Sequence, residues 1–311
     1  QKMITFSSLS STPSGATINP ASGVTLWQAS LNVAQRDVWM KRFALRQIGS
    51  APASSFQNFK LYVNGVMVGS AAGMDSMGYV TFDLNASPVL MVSGTRVVRV
   101  DADVVSGASR TIQLSLRQAA DVDFVDSSYG VNITPASSGT ALPWYGTANY
   151  ISGTSGGSLT IEKDVSSPST NATLSGSDVN LGTFKVTAYG EPIKIETLTA
   201  GGTFDGSLGV TNDAVVTLRN GRLLIGGVQY GSSATLLAAG TSFTTNYTVY
   251  PGTPVMVEVH ADVYDNDGTG QLDAADTILA KILVGSSNAQ RVDSLGSINA
   301  PGATVSANTL T

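Results

Sequence analysis

Residues 265–276, DNDGTGQLDAAD, form the densest acidic patch of the chain, and their types and spacing describe a binding chemistry. With Asp265 as position 1, Asp267 falls at 3, Thr269 at 5, Gly270 at 6, Gln271 at 7, Leu272 at 8, Asp273 at 9 and Asp276 at 12. A twelve-residue loop that wraps a calcium ion needs oxygen side chains at 1, 3 and 5, and Gly at 6 for the sharp turn. It also needs a main-chain carbonyl at 7, a direct or water-bridged ligand at 9 and a carboxylate at 12. Asp265, Asp267, Thr269, Gln271, Asp273 and Asp276 are therefore the candidate metal ligands, Gln271 through its main chain. Asp at position 12 is shorter than the usual bidentate Glu, and Thr269 is neutral. The expected affinity is accordingly weak, on the order of 10⁻⁴ to 10⁻³ M. At free calcium about ten times the dissociation constant, linkage adds only about 1.4 kcal/mol to the folded state. Such a site suits stiffening a loop better than signalling.

Catalytic chemistry has little else to work with. The chain has one His and no Cys, so a thiolate nucleophile, a thiolate metal site and a disulfide are all excluded. His260 lies in VEVHADV, where alternation sets it opposite Val257 and Val259 as a solvent-facing strand residue. GTSGG at 153–157 satisfies G-x-S-x-G around Ser155. A nucleophile elbow, however, needs a strand before it and a helix after it, and the strand-like SLTIEKD follows instead. Asp101 with Asp103, and Asp121 with Asp123, each lie two residues apart on one strand face, about 7 Å, and read as solvated pairs rather than an acid and a base. No enzyme is expected. Trp27, Trp39 and Trp144 are candidate platforms for a glycan, although Met40 and Phe43 beside Trp39 favour its burial.

The elements that carry these residues repeat. At an offset of 155, Ile4 falls on Leu159, Phe6 on Ile161, Leu26 on Leu181, Val38 on Ile193 and Phe43 on Leu198. At 156, Asn64-Gly65 falls on Asn220-Gly221; at 159, Ala102-Asp103-Val104 falls on Ala261-Asp262-Val263; at 166, Thr111 falls on Thr277. Apolar positions meet apolar positions, which reads as a tandem duplication. The acidic stretch is the insertion that separates the last two offsets. Both copies alternate apolar and polar residues at period two, as in TRVVRVDADV and VMVEVHADV, and the Asn-Gly pairs suit hairpin turns. GMDSM near Met74 and ATLLAAG near Leu236 read as single helical turns at most.

The predicted fold is all-β: two tandem Ig-like β-sandwich domains arising from internal duplication. The expected boundaries are 1–134 for the first domain, 135–157 for a packed connector, 158–300 for the second domain with its inserted calcium loop, and 301–311 for a C-terminal tail open to donation as a strand. Trp144, Tyr145, Tyr150 and Ile151 make the connector too apolar for a free linker, and it is expected to pack between the domains.

Composition narrows the partners. Hydrophobic residues are 42% and charged residues 13% of the chain, and the net charge is −5. That balance lacks the basic footprint of a nucleic-acid or anionic-membrane binder, and no apolar run approaches the roughly 20 residues of a membrane span. Low charge, abundant Ser, Thr and Gly, and a start at Gln1 rather than Met fit a processed extracellular or cell-surface protein. Sequons at Asn85, Asn132, Asn171 and Asn246 agree with that setting.

The D-x-D-G-x-G core of residues 265–270 resembles dockerin-like and thrombospondin type 3 calcium loops. The repeat, the composition and this loop together make the chain similar to the tandem Ig-like modules of bacterial surface-layer and extracellular filament subunits. That resemblance implies a homo-polymeric structural subunit, assembled through head-to-tail domain contacts and strand donation by a terminus, with structural Ca²⁺. The alternative is a cell-surface adhesin or carbohydrate-binding module with a glycan partner.

Overall fold

A computed structural model describes residues 4–6, 12–137, 142–153, 156–170, 172, 176–205, 218–263 and 276–311. The chain divides into two compact units, Gln1–Ser155 and Gly156–Thr311. Each is built of strands, and the helical content among the described residues is two 3₁₀ turns, Ala53–Ser55 and Ala119–Asp121.

The first unit contains β1 (Ile4–Phe6), β2 (Thr17–Ile18), β3 (Ala21–Val33), β4 (Val38–Gln47), β5 (Phe56–Val63), β6 (Val66–Ala71), β7 (Tyr79–Asp83) and β8 (Val89–Met91). It continues with β9 (Gly94–Val104), β10 (Thr111–Ile112), β11 (Leu114–Leu116), β12 (Val122–Asp126), β13 (Asn132–Ile133), β14 (Ala136–Ser137), β15 (Trp144–Tyr145) and β16 (Asn149–Ile151). One sheet runs β14-β1-β3-β9-β5-β6; the facing sheet runs β13-β12-β4-β11-β15, with β7 and β8 also paired to β4. Alternation along β9 turns Val98, Val100 and Ala102 inward, where they share one core with Phe59 and Leu61 of β5 and with Met40, Phe43 and Leu45 of β4. Trp27 meets Phe43 across this core with ring centroids 5.6 Å apart.

The second unit contains β17 (Ser158–Lys163), β18 (Gly176–Tyr189), β19 (Ile193–Asp205), β20 (Leu218–Ile225), β21 (Val228–Ala234), β22 (Thr241–Val249) and β23 (Val255–Val263), followed by β24 (Thr277–Ile282), β25 (Ala289–Arg291), β26 (Ser297–Ile298) and β27 (Val305–Leu310). Its sheets run β17-β18-β23-β20-β21 and β26-β25-β19-β24-β27, with β22 also on β19. Phe184, Leu198, Leu223, Phe243, Val259 and Ile278 belong to the second core. Both units are β-sandwiches.

The two units share the order of their main strands. Replacing β17, β18, β23, β20 and β21 by β1, β3, β9, β5 and β6 reproduces the first sheet apart from its added β14, and the second sheet matches with β22 in the place of β7 and β8, while the small sheet β10-β16-β2 belongs to the first unit alone among the described residues. The agreement reaches the level of register. Ile4 pairs with Val33 and Leu159 with Ala188, each 155 further on; Trp27 pairs with Val100 and Gly182 with Val259, offsets of 155 and 159; Ser115 pairs with Arg46 and Lys281 with Gly201, offsets of 166 and 155. Register breaks coincide as well: those of β3 between Ala21 and Val24 and between Thr25 and Trp27 recur in β18 between Gly176 and Val179 and between Asn180 and Gly182.

Several sequence expectations change. Val63 pairs with Val98 and Ile225 with Val257, so the offset along β5 and β20 is 162, not 156. Asn64-Gly65 does turn the β5–β6 hairpin, but Asn220-Gly221 lies inside β20, and Gly226-Gly227 makes the matching turn. Asn tolerates positive φ in a bulge as well as in a turn, and Asn220 (φ 50°) uses it for a bulge, as Asn58 (φ 53°) does in β5. The stretches around Met74 and Leu236 are turns without helix. Residues 142–151 are part of the first unit: β15 pairs with β11, and β16 with β10 and β2, because Trp144 and Ile151 bury themselves in its core. Residues 301–311 are not a loose tail. β27 pairs with β24 in its own unit, seating Ala307 and Leu310 in the core.

Candidate functional site

The candidate calcium ligands Asp265, Asp267, Thr269, Gln271 and Asp273 lie outside the described residues, and so does Ser155. Asp276 is described: it stands immediately before β24, buried at 6% exposure. Its surroundings locate the loop. β23 ends at Val263, paired with Leu218, and β24 begins at Thr277, paired with Asp205. The acidic stretch therefore links, in sequence, the two sheets of the second sandwich. Among the described residues no group of three or more His, Asp or Glu side chains is placed to hold a metal ion.

A polar network occupies β18, β20 and β23 nearby. Asp262 of the repeated Ala-Asp-Val accepts the Asn220 side-chain amide at Oδ2 (2.6 Å) and the Asp178 main-chain N–H at Oδ1 (2.8 Å). Asp103 does the same in the first unit, accepting Asn58 Nδ2 (2.8 Å) and the Gly23 N–H (2.8 Å). Each carboxylate thus stitches the bulges of two neighbouring strands to a third. The Asn220 bond foremost, then the Asp178 N–H, hold the Asp262 carboxyl below the ordinary carboxylate range against the opposing effect of burial, with Arg222 adding to the depression.

His260 sits in this network rather than facing open solvent. Its side chain is 12% exposed, with Nδ1 2.8 Å from Asp178 Oδ1 and Nε2 3.2 Å from Glu258 Oε2. Alternation did set it opposite Val257 and Val259, but Asp178 and Glu258 close over it. Both ring nitrogens are engaged by carboxylates. Arg222 bridges Asp178 (3.0 Å) and Asp262 (3.3 Å). At the matched positions of the first unit, Asp101 is buried between Arg99 (3.1 Å) and the Thr25 hydroxyl (2.8 Å), so it is not a solvated member of an acid pair. Asp121 is buried too, accepting the N–H groups of Arg117 and Gln118.

Glu191 is a second anchor that the sequence did not single out. Buried in the turn from β18 to β19, it accepts the Gly157 N–H (2.8 Å), the Asp293 N–H (2.9 Å), the Ser294 N–H (2.8 Å) and the Ser294 hydroxyl (2.6 Å). Arg291 Nε grips the Gly157 carbonyl at 2.7 Å. The chain entering the second unit is clasped on both sides of Gly157, and a Cβ there would stand 2.8 Å from the Tyr189 carbonyl oxygen. Burial alone would raise the Glu191 pKa, but the four bonds outweigh it and the carboxyl lies below its usual range.

Trp27 and Trp144 are buried in the first core and present no platform for a glycan, while Trp39 is half-buried. The sequon residues Asn85, Asn132 and Asn246 are exposed, while Asn171 lies outside the described residues. No described helix is long and apolar enough to cross a membrane.

Comparison with known proteins assigns no family. No family model matches the chain, and no curated protein matches it. Among solved structures, a protein from Corynebacterium diphtheriae described as membrane anchored is similar at 10% identity and a TM-score of 0.19, over 99% of this chain and 59% of that one. The chain thus spans about three fifths of that protein's length. CBD12 from CALX1.2 is similar at 12% identity and a TM-score of 0.23, over 94% of this chain and 82% of that one. An anti-sigma factor domain-containing protein is similar at 12% identity and a TM-score of 0.20, over 85% and 86%. At these scores the all-β assignment stands on the strand pairing of the chain itself.

Proposed function

We propose that this chain is a non-enzymatic structural subunit of an extracellular filament or surface lattice, built by duplication of one sandwich and polymerising head to tail, with Ca²⁺ bracing one end of the second unit. The observation that carries the reading is the agreement of the two units in strand order, register and bulge position. Two copies of one fold in a chain give most surfaces of one unit a counterpart on the other. A contact made by the first unit can then be repeated by the second unit of another molecule, and a heterologous contact of that kind extends rather than closes.

The side-chain chemistry supports a passive role. The one His and its carboxylate neighbours are spent on holding strands together, and the buried acids Asp101, Asp121, Asp262 and Glu191 all have structural partners. Binding of Ca²⁺ by Asp265, Asp267, Thr269, Gln271, Asp273 and Asp276 would pin the connection between two sheets, where a divalent ion in place of repelling carboxylates stiffens the end of the sandwich. Sedimentation of the purified chain with calcium and with chelator tests the reading. Calcium-promoted growth of large species is expected; a monomer under both conditions refutes it.

A further inference from the structure

The two units differ at one sheet edge. In the first, β14 lies parallel along the outer side of β1, with Ala136 beside Thr5 and Ser137 beside Phe6. In the second, the matching strand β17 ends its sheet, and among the described residues no strand pairs with its outer side. The segment after β26, counterpart of the one that runs into β14, is tied elsewhere. Ala300 exchanges bonds with the Asn288 side chain (2.8 and 2.7 Å), and the Pro301 carbonyl accepts the Gly285 N–H (2.9 Å).

The direction of the outward-facing groups follows from the ladder. Asp164 donates its N–H to the Thr183 carbonyl (3.0 Å) in the register of the β17–β18 pair. In an antiparallel pair the bonded residues alternate, so Ser158, Thr160 and Glu162 bond inward and the amides of Leu159, Ile161 and Lys163 face the open side. β17 runs its six residues without a register break or a proline, two of the devices that blunt an edge, and its charged residues, Glu162 and Lys163, are confined to its end, with Lys163 Nζ held by Asn308. An unbroken edge of this kind is a template for another strand.

We propose that the outer edge of β17 is a docking site for a second copy of this chain, which supplies an extended segment running parallel to β17 and bonded at Leu159, Ile161 and Lys163, as β14 is placed on β1. The occupant is argued from the first unit, where a small-residue segment of this same chain, Pro135-Ala136-Ser137, fills the matched seat. The inference rests on the self-assembly reading above and names the surface that reading uses.

The test combines edge prolines with hydrogen exchange. Leu159→Pro and Lys163→Pro each remove one outward N–H and leave the inward bonds to β18 in place; Lys163→Ala removes the same side chain and keeps the amide. Self-association of each full chain is measured by sedimentation velocity, with thermal unfolding as the folding control. Each proline is expected to weaken association roughly tenfold, the loss of one or two main-chain bonds, while Lys163→Ala associates as the wild type does. Amides of Leu159, Ile161 and Lys163 are expected to gain protection in assembled wild-type protein, a readout that needs no variant. If the wild type assembles but these amides exchange as in the monomer, or folded proline variants assemble undiminished, the edge is not the site and the self-assembly reading survives. If the wild type never associates, both fall.

Discussion

The Asn220 side-chain amide donates to Asp262 Oδ2 at 2.6 Å from inside a bulge of β20, and it does so with its own backbone at a φ of 50°. Asn58 repeats the arrangement with Asp103 in β5. Asn220→Ala therefore removes a charge-assisted hydrogen bond and leaves a β-carbon in the left-handed region, a combined cost of about 2 to 4 kcal/mol. Asn220→Gly relieves only the backbone part. Chemical denaturation of the two variants should rank Ala below Gly, and equal stability to the wild type would refute the role of the bond.

Acid should act through the same carboxylate. The Asp262 pKa is lowered in the folded chain, foremost by Asn220, so its contribution is present above the ordinary carboxylate range near pH 4 and is lost as pH falls through the lower folded value. Asp262→Asn should be less stable than the wild type at neutral pH and should lose less on going from about pH 5 to pH 2. Thermal melts across that range check the sign; a wild type that gains stability on acidification in this window contradicts it.

The clasp at Gly157 makes Glu191 a stability determinant of the second unit. Gln in its place offers one carbonyl oxygen for four donors, and Glu191→Gln should cost about 2 to 3 kcal/mol. Exchange of the Gly157 amide should accelerate in the same variant. Retained protection at Gly157 would show that the clasp is dispensable.

Separate cores imply separable unfolding. Phe43 is buried in the first core and Phe184 in the second, and each Phe→Ala should cost about 3 to 5 kcal/mol. Calorimetry should show Phe43→Ala and Phe184→Ala displacing different transitions. A single transition displaced equally by both would mean that the chain folds as one unit.

How much of this was legible in the sequence depends on the kind of signal. Period-two runs such as VMVEVHADV declare strands directly, and offsets of 155, 159 and 166 read from apolar matches recur as true register because core positions cannot slip without exposing a whole face. Asn220-Gly221 misled because positive φ serves a bulge and a hairpin turn alike. Residues 142–151 and 301–311 looked like connector and tail because their strands are short or polar by composition, yet Trp144, Ile151, Ala307 and Leu310 find core seats that only the assembled sandwich offers. Glu191 carried no local motif; its four donors come from segments distant in sequence, joined by a turn. Of the predicted calcium ligands, Asp276 alone falls among the described residues, where it is buried just before β24.

Calcium should stabilise the second unit measurably. A contribution of about 1.4 kcal/mol raises the melting temperature of a unit of this size by about 3 to 5 °C. Asp267→Asn or Asp276→Asn should abolish the increment while leaving the melt in chelator nearly unchanged for Asp267→Asn. An increment that survives both substitutions would place the ion elsewhere.

Electron microscopy of the purified chain, imaged in millimolar calcium and again after chelation, tests the proposed structural role most directly. The account predicts ordered filaments or lattices in calcium that shorten or disperse in chelator. Isolated single chains under both conditions, at any protein concentration, would contradict it.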